Sequence, residues 1–401
     1  MEPTTGSRSS NNSADVVVIG GGVIGTCIAY YLAQRKFGRI VVLERDTLGS
    51  GSTGRSVASI DLFSAQPSAI ELQTRAYEIF VHFNELLGEA CGLVTTGLAV
   101  LADSKHSAAL KRAFTVTKAA GIEAQLLSSA EFAGLEPAAV IEDLVLVCYV
   151  PAGGYADPVL TTNAFAAAAR RSGVIIQQGR PVTGLTCTGG RITEVKTASG
   201  SISTPVVVIA AGPWSGRLLN TFGFDDLGLL ARRHAVISLR RPADFSPPQL
   251  SILDIPNNIY ARPETGGLTL AGSMDPMVGY DPVEPDDDHG RITSAYTLWT
   301  AERLVQRYPA LEASELRGGW SGLITTSPDW QPVLGALPEI SGVYIAAGFS
   351  AQGFKMSPAV GDLMAGLIAG EKEAAGILAP FRPTRFKEGQ LLTTSEFGAL
   401  G

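Results

Sequence analysis

A glycine-rich turn near the start of the chain carries the residues with the clearest chemical potential. The segment Gly20 to Gly25 reads GGGVIG, follows the run Asp15 to Ile19, and opens an amphipathic stretch from Val23 to Arg35. In a βαβ unit, the first glycine permits a tight turn, the second lets the backbone approach a pyrophosphate, and the third lets helix and strand pack closely. The helix N-terminus offers N–H groups to phosphate oxygens. The segment therefore predicts a dinucleotide-binding site.

An acidic residue completes the same unit. Glu44 ends the next apolar run, Ile40 to Leu43, at the distance from the glycines where a carboxylate can accept hydrogen bonds from an adenosine ribose. Glycine turns alone are common, whereas strand, turn, helix, strand and acid in this order are far more specific. At this point NAD, NADP and FAD all fit the unit.

A second run of small residues, Gly49 to Ser56, reads GSGSTGRS. Its composition alone is typical of a flexible surface loop. Its position after Glu44 favours a phosphate-contacting segment instead, because backbone N–H groups and Ser or Thr hydroxyls bind phosphate oxygens. Both interpretations stay open here.

The composition sets limits on the class of protein. The chain has 401 residues, of which 45% are hydrophobic, and this predicts a well-buried globular protein of two domains or one large composite. A net charge of -7 without a long basic block argues against nucleic-acid binding. The cysteines and histidines show no ligand spacing, so we expect no disulfide framework and no metal centre; they are Cys27, Cys91, Cys148, Cys187, His82, His106, His234 and His289.

The sequence also bears on location and assembly. Residues 1–13 are rich in Ser, Thr and Asn, lack the apolar core of a signal peptide, and predict a disordered tail. No apolar stretch reaches the length of about 18 residues that predicts a membrane helix. We expect a cytoplasmic protein, and the sequence leaves open whether it forms a homo-oligomer.

Hydrophobic spacing predicts the elements that position these motifs. A buried strand over Val343 to Ala347 leads to a helix from Ser357 to about Ile368, with Ser357 as its N-cap and Pro358 at its first position. Alternating runs between Arg232 and Leu270 predict a second sheet. Further predicted elements are helices over Glu71–Leu87, Ser107–Ala120 and His289–Tyr308, and a strand over Leu93–Leu101.

The chain resembles the FAD-dependent amino-acid and amine oxidoreductases of the D-amino-acid oxidase, glycine oxidase and sarcosine oxidase type. The matching segments extend over nearly the whole chain; they are GGGVIG, LER, GSGSTGRS, GGYADP at 153–158, VIAAGPWS at 208–215 and IAAGFSAQGFKMSPAVG at 345–361. The resemblance implies an α/β (α+β) fold, in which a Rossmann-like FAD-binding domain is combined with a discontinuous second, mostly antiparallel β-sheet substrate domain. The FAD-binding domain would comprise residues 14–90, 151–230 and 320–380, and the substrate-binding domain residues 91–150 and 231–319.

The resemblance also implies which residues hold FAD. The ADP half would contact Gly20, Gly22, Val23, Ile24, Gly25, Glu44 and Arg45. The pyrophosphate and flavin would be approached by Gly51, Ser52, Thr53, Arg55, Ser56 and Val57. Further cofactor contacts would come from Val182 beside the adenosine and from Ala211, Gly212 and Trp214. The flavin ring would lie beside Gly348, Gln352, Gly353, Phe354 and Lys355.

General physics supports a role for Lys355. A lysine cation and a helix N-terminus near Ser357 would both stabilise negative charge at the N1–C2=O edge of a reduced flavin. Without the surrounding motif, a solvated surface lysine would be an equally good interpretation.

The chain departs from the family at several positions. Relatives attach flavin covalently through a cysteine near the segment 319–322 or a histidine near Arg55, and this chain has neither, so we expect noncovalent FAD. The lysine that promotes oxygen reactivity in sarcosine oxidase aligns with Thr269. The two usual positions of a carboxylate-binding arginine hold Asp61 and Ile324, and neither residue replaces an arginine fork.

These departures shape the predicted substrate. Asp61 would favour a cationic or hydroxyl-bearing group, although a turn-capping role is an open alternative, and Lys355 leaves a carboxylate-bearing substrate open. Tyr260 would form an aromatic wall near the flavin, or serve as an ordinary core tyrosine. We therefore expect a small-molecule amine or amino acid as substrate, with secondary, cyclic or N-alkyl amines favoured.

The reaction that the resemblance implies is oxidation of a C–N bond by hydride transfer to flavin N5, which yields an imine. Oxygen or another electron acceptor would reoxidise the flavin. Two alternatives remain: a flavoprotein subunit resembling the β subunits of multimeric sarcosine or amino-acid dehydrogenases, and a 2-hydroxy-acid dehydrogenase on the same fold.

Overall fold

The computed structural model describes residues 12–224, 226–245, 249–287 and 290–392. The strands in these ranges are β1 (Val16–Ile19), β2 (Ile40–Leu43), β3 (Ser59–Ile60), β4 (Val94–Thr95), β5 (Leu98–Ala102), β6 (Gln125–Leu127), β7 (Leu146–Val150), β8 (Gly154–Tyr155), β9 (Ile175–Gln177), β10 (Val182–Thr188), β11 (Arg191–Thr197), β12 (Gly200–Ser203), β13 (Val207–Ile209), β14 (Leu230–Arg240), β15 (Ser251–Asp254), β16 (Ile259–Glu264), β17 (Leu268–Ser273), β18 (Glu315–Thr326), β19 (Val333–Ala336) and β20 (Val343–Ala347). The helices are α1 (Val23–Gln34), α2 (Pro67–Val81), α3 (Phe83–Leu87), α4 (Ser107–Ala119), α5 (Ser129–Leu135), α6 (Pro158–Arg171), α7 (Ser215–Phe222), α8 (Ser294–Arg307), α9 (Gly353–Ile368) and α10 (Lys372–Leu378).

A six-stranded sheet forms around the predicted βαβ unit, in the order β19-β20-β13-β1-β2-β9. All its pairings are parallel except that of β19 with β20. Val16 and Val18 pack against the helices on one face, and Val17 and Ile19 pack toward the β10-β11-β12 meander on the other. Burial on both faces explains why these strands are continuous apolar runs.

An eight-stranded sheet forms the second layer, in the order β18-β14-β17-β16-β15-β5-β7-β6. Its pairings are antiparallel apart from β15 with β5. The structure therefore confirms the mixed fold class, with a parallel Rossmann-like region and a mostly antiparallel second sheet. Strand β18 extends across residue 320, where we placed a domain boundary, and the domain limits stay a prediction.

Helix α9 begins four residues earlier than we predicted. Its first residue is Gly353 and its N-cap is Gln352, so Ser357 is not an N-cap and Pro358 lies inside the helix. Proline has no N–H to donate to the carbonyl of Phe354, and the Ser357 hydroxyl donates to that oxygen instead, at 2.9 Å. This substitution of one donor for another lets the helix continue through the proline.

Other predicted elements differ at their ends. The predicted helix over residues 71–87 is divided at His82 into α2 and α3, and the predicted strand over 93–101 is interrupted at Gly97, whose φ is +75°. Helix α8 begins at Ser294, and His289 lies outside the described residues. Of the predicted tail, residues 1–11 lie outside the described residues, whereas Ser13 forms a bridge with Ser203.

Helices α1 and α9 cross at close range. A Cβ at Gly361 would lie 2.5 Å from the Cβ of Cys27, so only glycine permits this approach. Because the crossing is tight, the two helices share one core with β1 and β20. No helix of the described ranges is both long and apolar enough to cross a membrane.

A buried carboxyl group lies beneath the eight-stranded sheet. Glu136 accepts a hydrogen bond from the Leu250 N–H at 2.7 Å through Oε2, while its Oε1 has no partner among the described residues. Burial raises the pKa of Glu136 to about 7. Ionised Glu136 therefore costs the native state stability at neutral pH.

We predict that Glu136→Gln flattens the pH dependence of stability. A folded-state pKa raised above the unfolded value of about 4.3 means that the native state binds more protons between the two, so the unfolding free energy falls as the pH rises through this window. The neutral glutamine removes that loss, which amounts to roughly 3 kcal/mol. Urea unfolding at pH 5 and pH 8 measures it. Exposed Glu123 supplies the control variant Glu123→Gln, and an equal loss in wild type and Glu136→Gln would contradict the prediction.

Candidate active site

A cavity of about 660 Å³ lies between the two large sheets. The carboxyl ends of parallel strands contribute Gly20, Glu44 and Ala211 to its wall. The eight-stranded sheet contributes Ile252 and Tyr260. Ligands of open α/β sheets bind at the carboxyl ends of the strands, which is where this cavity begins.

The glycine turn at the end of β1 is packed against backbone on two sides. Gly20 has φ +112°, and a Cβ there would lie 2.3 Å from the Ala210 oxygen. A Cβ at Gly25 would lie 2.0 Å from the Gly20 oxygen, so this residue serves helix–strand packing and does not line the cavity. Helix α1 has no side-chain cap and no acidic residue in its first turn, and its end carries partial positive charge toward the cavity.

Backbone N–H groups hold the Glu44 carboxylate in place. Gly21 N–H donates to Oε2 at 2.7 Å, and Asp46 N–H donates to Oε1 at 2.8 Å. An ionised carboxylate has about four acceptor sites, so these two bonds leave capacity for hydroxyl groups of a ligand. The geometry fits the predicted ribose contact.

The GSGSTGRS run connects the two layers. It contains a short 3₁₀ helix, Thr53–Arg55, and Thr53 Oγ1 accepts the Val23 N–H at the start of α1. Ser52 Oγ donates to the Leu323 carbonyl, and Trp320 Nε1 donates to the Arg55 carbonyl at 2.8 Å. The run is thus held between α1 and β18 along the cavity.

Lys355 and Asp61 form a buried ion pair. Lys355 Nζ lies 2.8 Å from Asp61 Oδ2, with the two side chains 7% and 12% exposed. Both residues line the cavity, Lys355 from the first turn of α9 and Asp61 from the residue after β3. The interpretation of Lys355 as a solvated surface lysine is therefore wrong. Sequence reasoning selected both residues and missed that they contact each other.

Tyr260 contacts a histidine that sequence reasoning set aside. Its hydroxyl lies 3.0 Å from Nε2 of His234, on a strand separated from β16 by β17. The tyrosine reaches across because Gly272 has no side chain, and a Cβ there would lie 2.3 Å from the Tyr260 hydroxyl. Both rings line the cavity. Only the strand register brings them together, so spacing in the sequence gave no signal.

Asp286 was also missed. Its carboxylate accepts hydrogen bonds from Arg45 at 2.7 Å, the Trp214 indole at 2.8 Å and Arg217 at 2.5 Å. The bonds to Arg45 and Trp214 lower the pKa of Asp286 to about 2. Arg45 also lies over the Trp214 ring at 4.0 Å. Asp286, in the segment that follows β17, thus connects that segment to Arg45 after β2 and to Trp214 and Arg217 near the start of α7.

Most predicted site residues line the cavity: Gly20, Gly22, Val23, Ile24, Glu44, Arg45, Gly51, Ser52, Thr53, Arg55, Ser56, Val57, Asp61, Val182, Ala211, Gly212, Trp214, Tyr260, Gly353, Phe354 and Lys355. Gly348 and Gln352 do not line the cavity, and Gln352 is the buried N-cap of α9. Thr269 is fully buried, and its hydroxyl donates to Gln249 Oε1 at 2.8 Å. No described residue of β17 lines the cavity, so the placement of Thr269 in the active site is wrong.

The residues present fit FAD. Side chains are absent where a nucleotide backbone must approach, since a Cβ at Gly20 would meet the Ala210 carbonyl. The first turns of α1 and α9 border the cavity and have no side-chain N-cap; apart from the Val23 N–H, which Thr53 accepts, their N–H groups could serve a pyrophosphate and a ring edge. The remaining wall, with Ile252 and Tyr260, can cover a planar ring.

Comparison with known proteins gives a consistent family assignment. The family model described as DAO, FAD dependent oxidoreductase, matches residues 15–367. The chain is 30% identical over 371 residues to the mitochondrial sarcosine dehydrogenase of Homo sapiens, covering 90% of this chain and 40% of that protein. It is 29% identical to the glycine oxidase of Geobacillus kaustophilus, covering 92% of this chain and 97% of that enzyme.

Solved structures agree. The crystal structure of L-proline dehydrogenase from P. horikoshii superposes with a TM-score of 0.87 at 27% identity, over 95% of this chain and 99% of that one. The chain spans about two fifths of the length of the sarcosine dehydrogenase that it matches. On the family match, the relatives and the shared fold, this chain belongs to the FAD-dependent oxidoreductases.

Proposed function

We propose that the chain oxidises a C–N bond of a small amine or amino acid, with secondary, cyclic or N-alkyl amines preferred. The Lys355–Asp61 pair beside the FAD-binding elements carries this proposal, because it offers a carboxylate to a cationic nitrogen inside a buried cavity. The names of the three similar proteins support the same substrate class. Sarcosine, glycine and L-proline are all small amino acids, and two of them are secondary amines.

The residues that would hold FAD follow from the site geometry. Glu44 would bind the ribose, the end of α1 the pyrophosphate, and the end of α9 with Lys355 the flavin edge. When bound, FAD supplies a hydride acceptor at N5. We propose that it is held noncovalently, since no cysteine is among the described residues that line the cavity and His234, the histidine among them, pairs with Tyr260. Oxygen or another electron acceptor would then complete the cycle.

The ion pair gives the cavity a defined charge pattern. Lys355 and Asp61 neutralise each other, so neither group leaves an unpaired charge in the cavity. A substrate ammonium would take Asp61 as its acceptor, and a substrate carboxylate would take Lys355 as its donor. A small zwitterion could thus enter between the two groups and pair with both. A carboxylate without an ammonium would leave Asp61 unpaired, which disfavours 2-hydroxy acids, and an ammonium without a carboxylate would leave Lys355 unpaired.

The first test is anaerobic reduction of the flavin by the purified single chain. We expect sarcosine, L-proline or a related secondary amine to bleach the visible absorption of the oxidised flavin. Lactate should leave that absorption unchanged. Admission of air then shows whether oxygen is the acceptor. Acid precipitation of the protein should release FAD into the supernatant. Bleaching by no amine or amino acid of the panel would contradict the proposal, and bleaching that requires a partner chain would favour the subunit role.

We predict that Asp61→Asn changes substrate preference. The variant replaces the negative charge that a cationic nitrogen would meet with a neutral amide and leaves the Lys355 cation without an ionic partner, so amines without a carboxylate should lose about tenfold in kcat/KM relative to amino acids. The measurement is steady-state kinetics on paired substrates such as pyrrolidine and L-proline. Asp362→Asn is the control, because Asp362 lies two turns further along α9, does not line the cavity and pairs with Arg35. An unchanged preference would exclude a substrate contact for Asp61.

We also predict that Asp286→Ala accelerates loss of FAD. The substitution removes three charge-assisted or indole hydrogen bonds that join the segment after β17 to the nucleotide-binding side, so FAD should dissociate about tenfold faster. Recovery of flavin fluorescence after dilution measures this rate. Neighbouring Asp287 is exposed, and Asp287→Ala should dissociate like wild type. Equal rates of FAD dissociation from wild type, Asp286→Ala and Asp287→Ala would contradict a role of the Asp286 hydrogen bonds in retaining FAD.

A further inference from the structure

The His234–Tyr260 pair contains one nitrogen without a partner. His234 Nε2 lies 3.0 Å from the Tyr260 hydroxyl, and Nδ1 is buried with no hydrogen-bond partner among the described residues. The Tyr260 hydroxyl makes no other hydrogen bond in the same part of the chain. One hydrogen bond therefore joins two of the three polar groups, and the ring nitrogen of His234 that carries the proton decides which group is left to serve a ligand.

Neutral His234 has two tautomers, because burial lowers the pKa of His234 to about 4. With the proton on Nδ1, an N–H donor would be buried without an acceptor. With the proton on Nε2, that N–H donates to Tyr260, the buried Nδ1 has only a lone pair without a partner, and the Tyr260 hydroxyl proton is left for an acceptor in the cavity that Tyr260 lines. Buried N–H groups without partners are rarer in proteins than under-used acceptors. The second tautomer is therefore favoured.

The surroundings keep the pair in this geometry. The Tyr280 ring lies 4.9 Å from the His234 ring, and its hydroxyl donates to the Ser273 carbonyl at 2.9 Å. The Tyr296 hydroxyl donates to the Ala235 carbonyl at 2.6 Å. The hydroxyl groups of Tyr280 and Tyr296 thus donate to backbone oxygens and not to Nδ1 of His234.

We infer that His234 is a positioning residue: it donates from Nε2 to the Tyr260 oxygen, and so leaves the Tyr260 hydroxyl proton for an oxygen acceptor of the substrate. This inference rests on the proposed function and narrows it. The substrate would be an amine that also carries a carboxylate or similar oxygen group, bound by Tyr260 while its nitrogen meets Asp61. Both residues line the same cavity.

The tautomer is tested directly by NMR of the FAD-bound protein labelled with ¹⁵N-histidine. We expect a one-bond ¹H–¹⁵N correlation from Nε2 of His234, assigned by its absence in His234→Gln. The chain has four histidines, which keeps the spectrum simple. A proton found on Nδ1, or an imidazolium at neutral pH, would overturn the inference.

The ligand contact is tested by calorimetry with cyclopentanecarboxylate, which has a carboxylate and no C–N bond to oxidise. We expect its Kd to rise about tenfold in Tyr260→Phe and in His234→Leu, since each loses or misdirects a hydrogen bond to a charged group. His234→Gln should stay within about twofold of wild type, because the glutamine amide can donate to Tyr260 in place of Nε2–H.

The outcomes separate the possible roles. Unchanged affinity in Tyr260→Phe would overturn the substrate contact, and failure of glutamine to restore binding would overturn positioning by donation. If His234→Leu does not fold, the tautomer and the His234→Gln result still decide. Neither measurement depends on turnover, so a failure of C–N oxidation would appear only in the flavin-reduction test.

Discussion

Close backbone contact at the carboxyl ends of the central parallel strands is the constraint on which the rest of the structure depends. A Cβ added at Gly20 would lie 2.3 Å from the Ala210 oxygen, and one added at Gly25 would lie 2.0 Å from the Gly20 oxygen. Because no side chain intervenes, β1, β13 and α1 approach one another closely enough to form a backbone-lined edge. Glu44 is fixed to that edge by the Gly21 N–H. A nucleotide site made of main-chain groups follows from this packing.

A second glycine contact, between α1 and α9, positions the other half of the cavity. Gly361 lets α9 cross α1 against Cys27, and this crossing sets where the first turn of α9 ends up. Lys355 lies in that turn and meets Asp61 inside the cavity. A buried ion pair of this kind adds little net stability, but removal of one partner leaves a costly unpaired charge. The pair therefore adds little to the stability of the fold, which is consistent with the substrate contact proposed for it.

The limits of sequence reasoning are clearest at particular residues. Ser357 and Pro358 look like a helix start, yet the Ser357 hydroxyl replaces the missing proline N–H and the helix begins at Gly353. Thr269, which the resemblance suggested as a catalytic residue, lies buried against Gln249. His234 matched no ligand spacing, and it contacts Tyr260 only because β14, β17 and β16 pair in one register.

The βαβ unit, the acid that follows it and the family could all be inferred from the order of residues along the chain, because the chemistry of that unit depends on residues close together in sequence. The sequence also selected Lys355 and Asp61 as individual candidates. Tertiary structure alone decided that these two residues form one ion pair, that Asp286 fastens to Arg45 and Trp214, and that Tyr260 pairs with His234. Contacts between distant segments depend on sheet register and helix crossings, which arise from packing of the whole chain and leave no mark in local spacing.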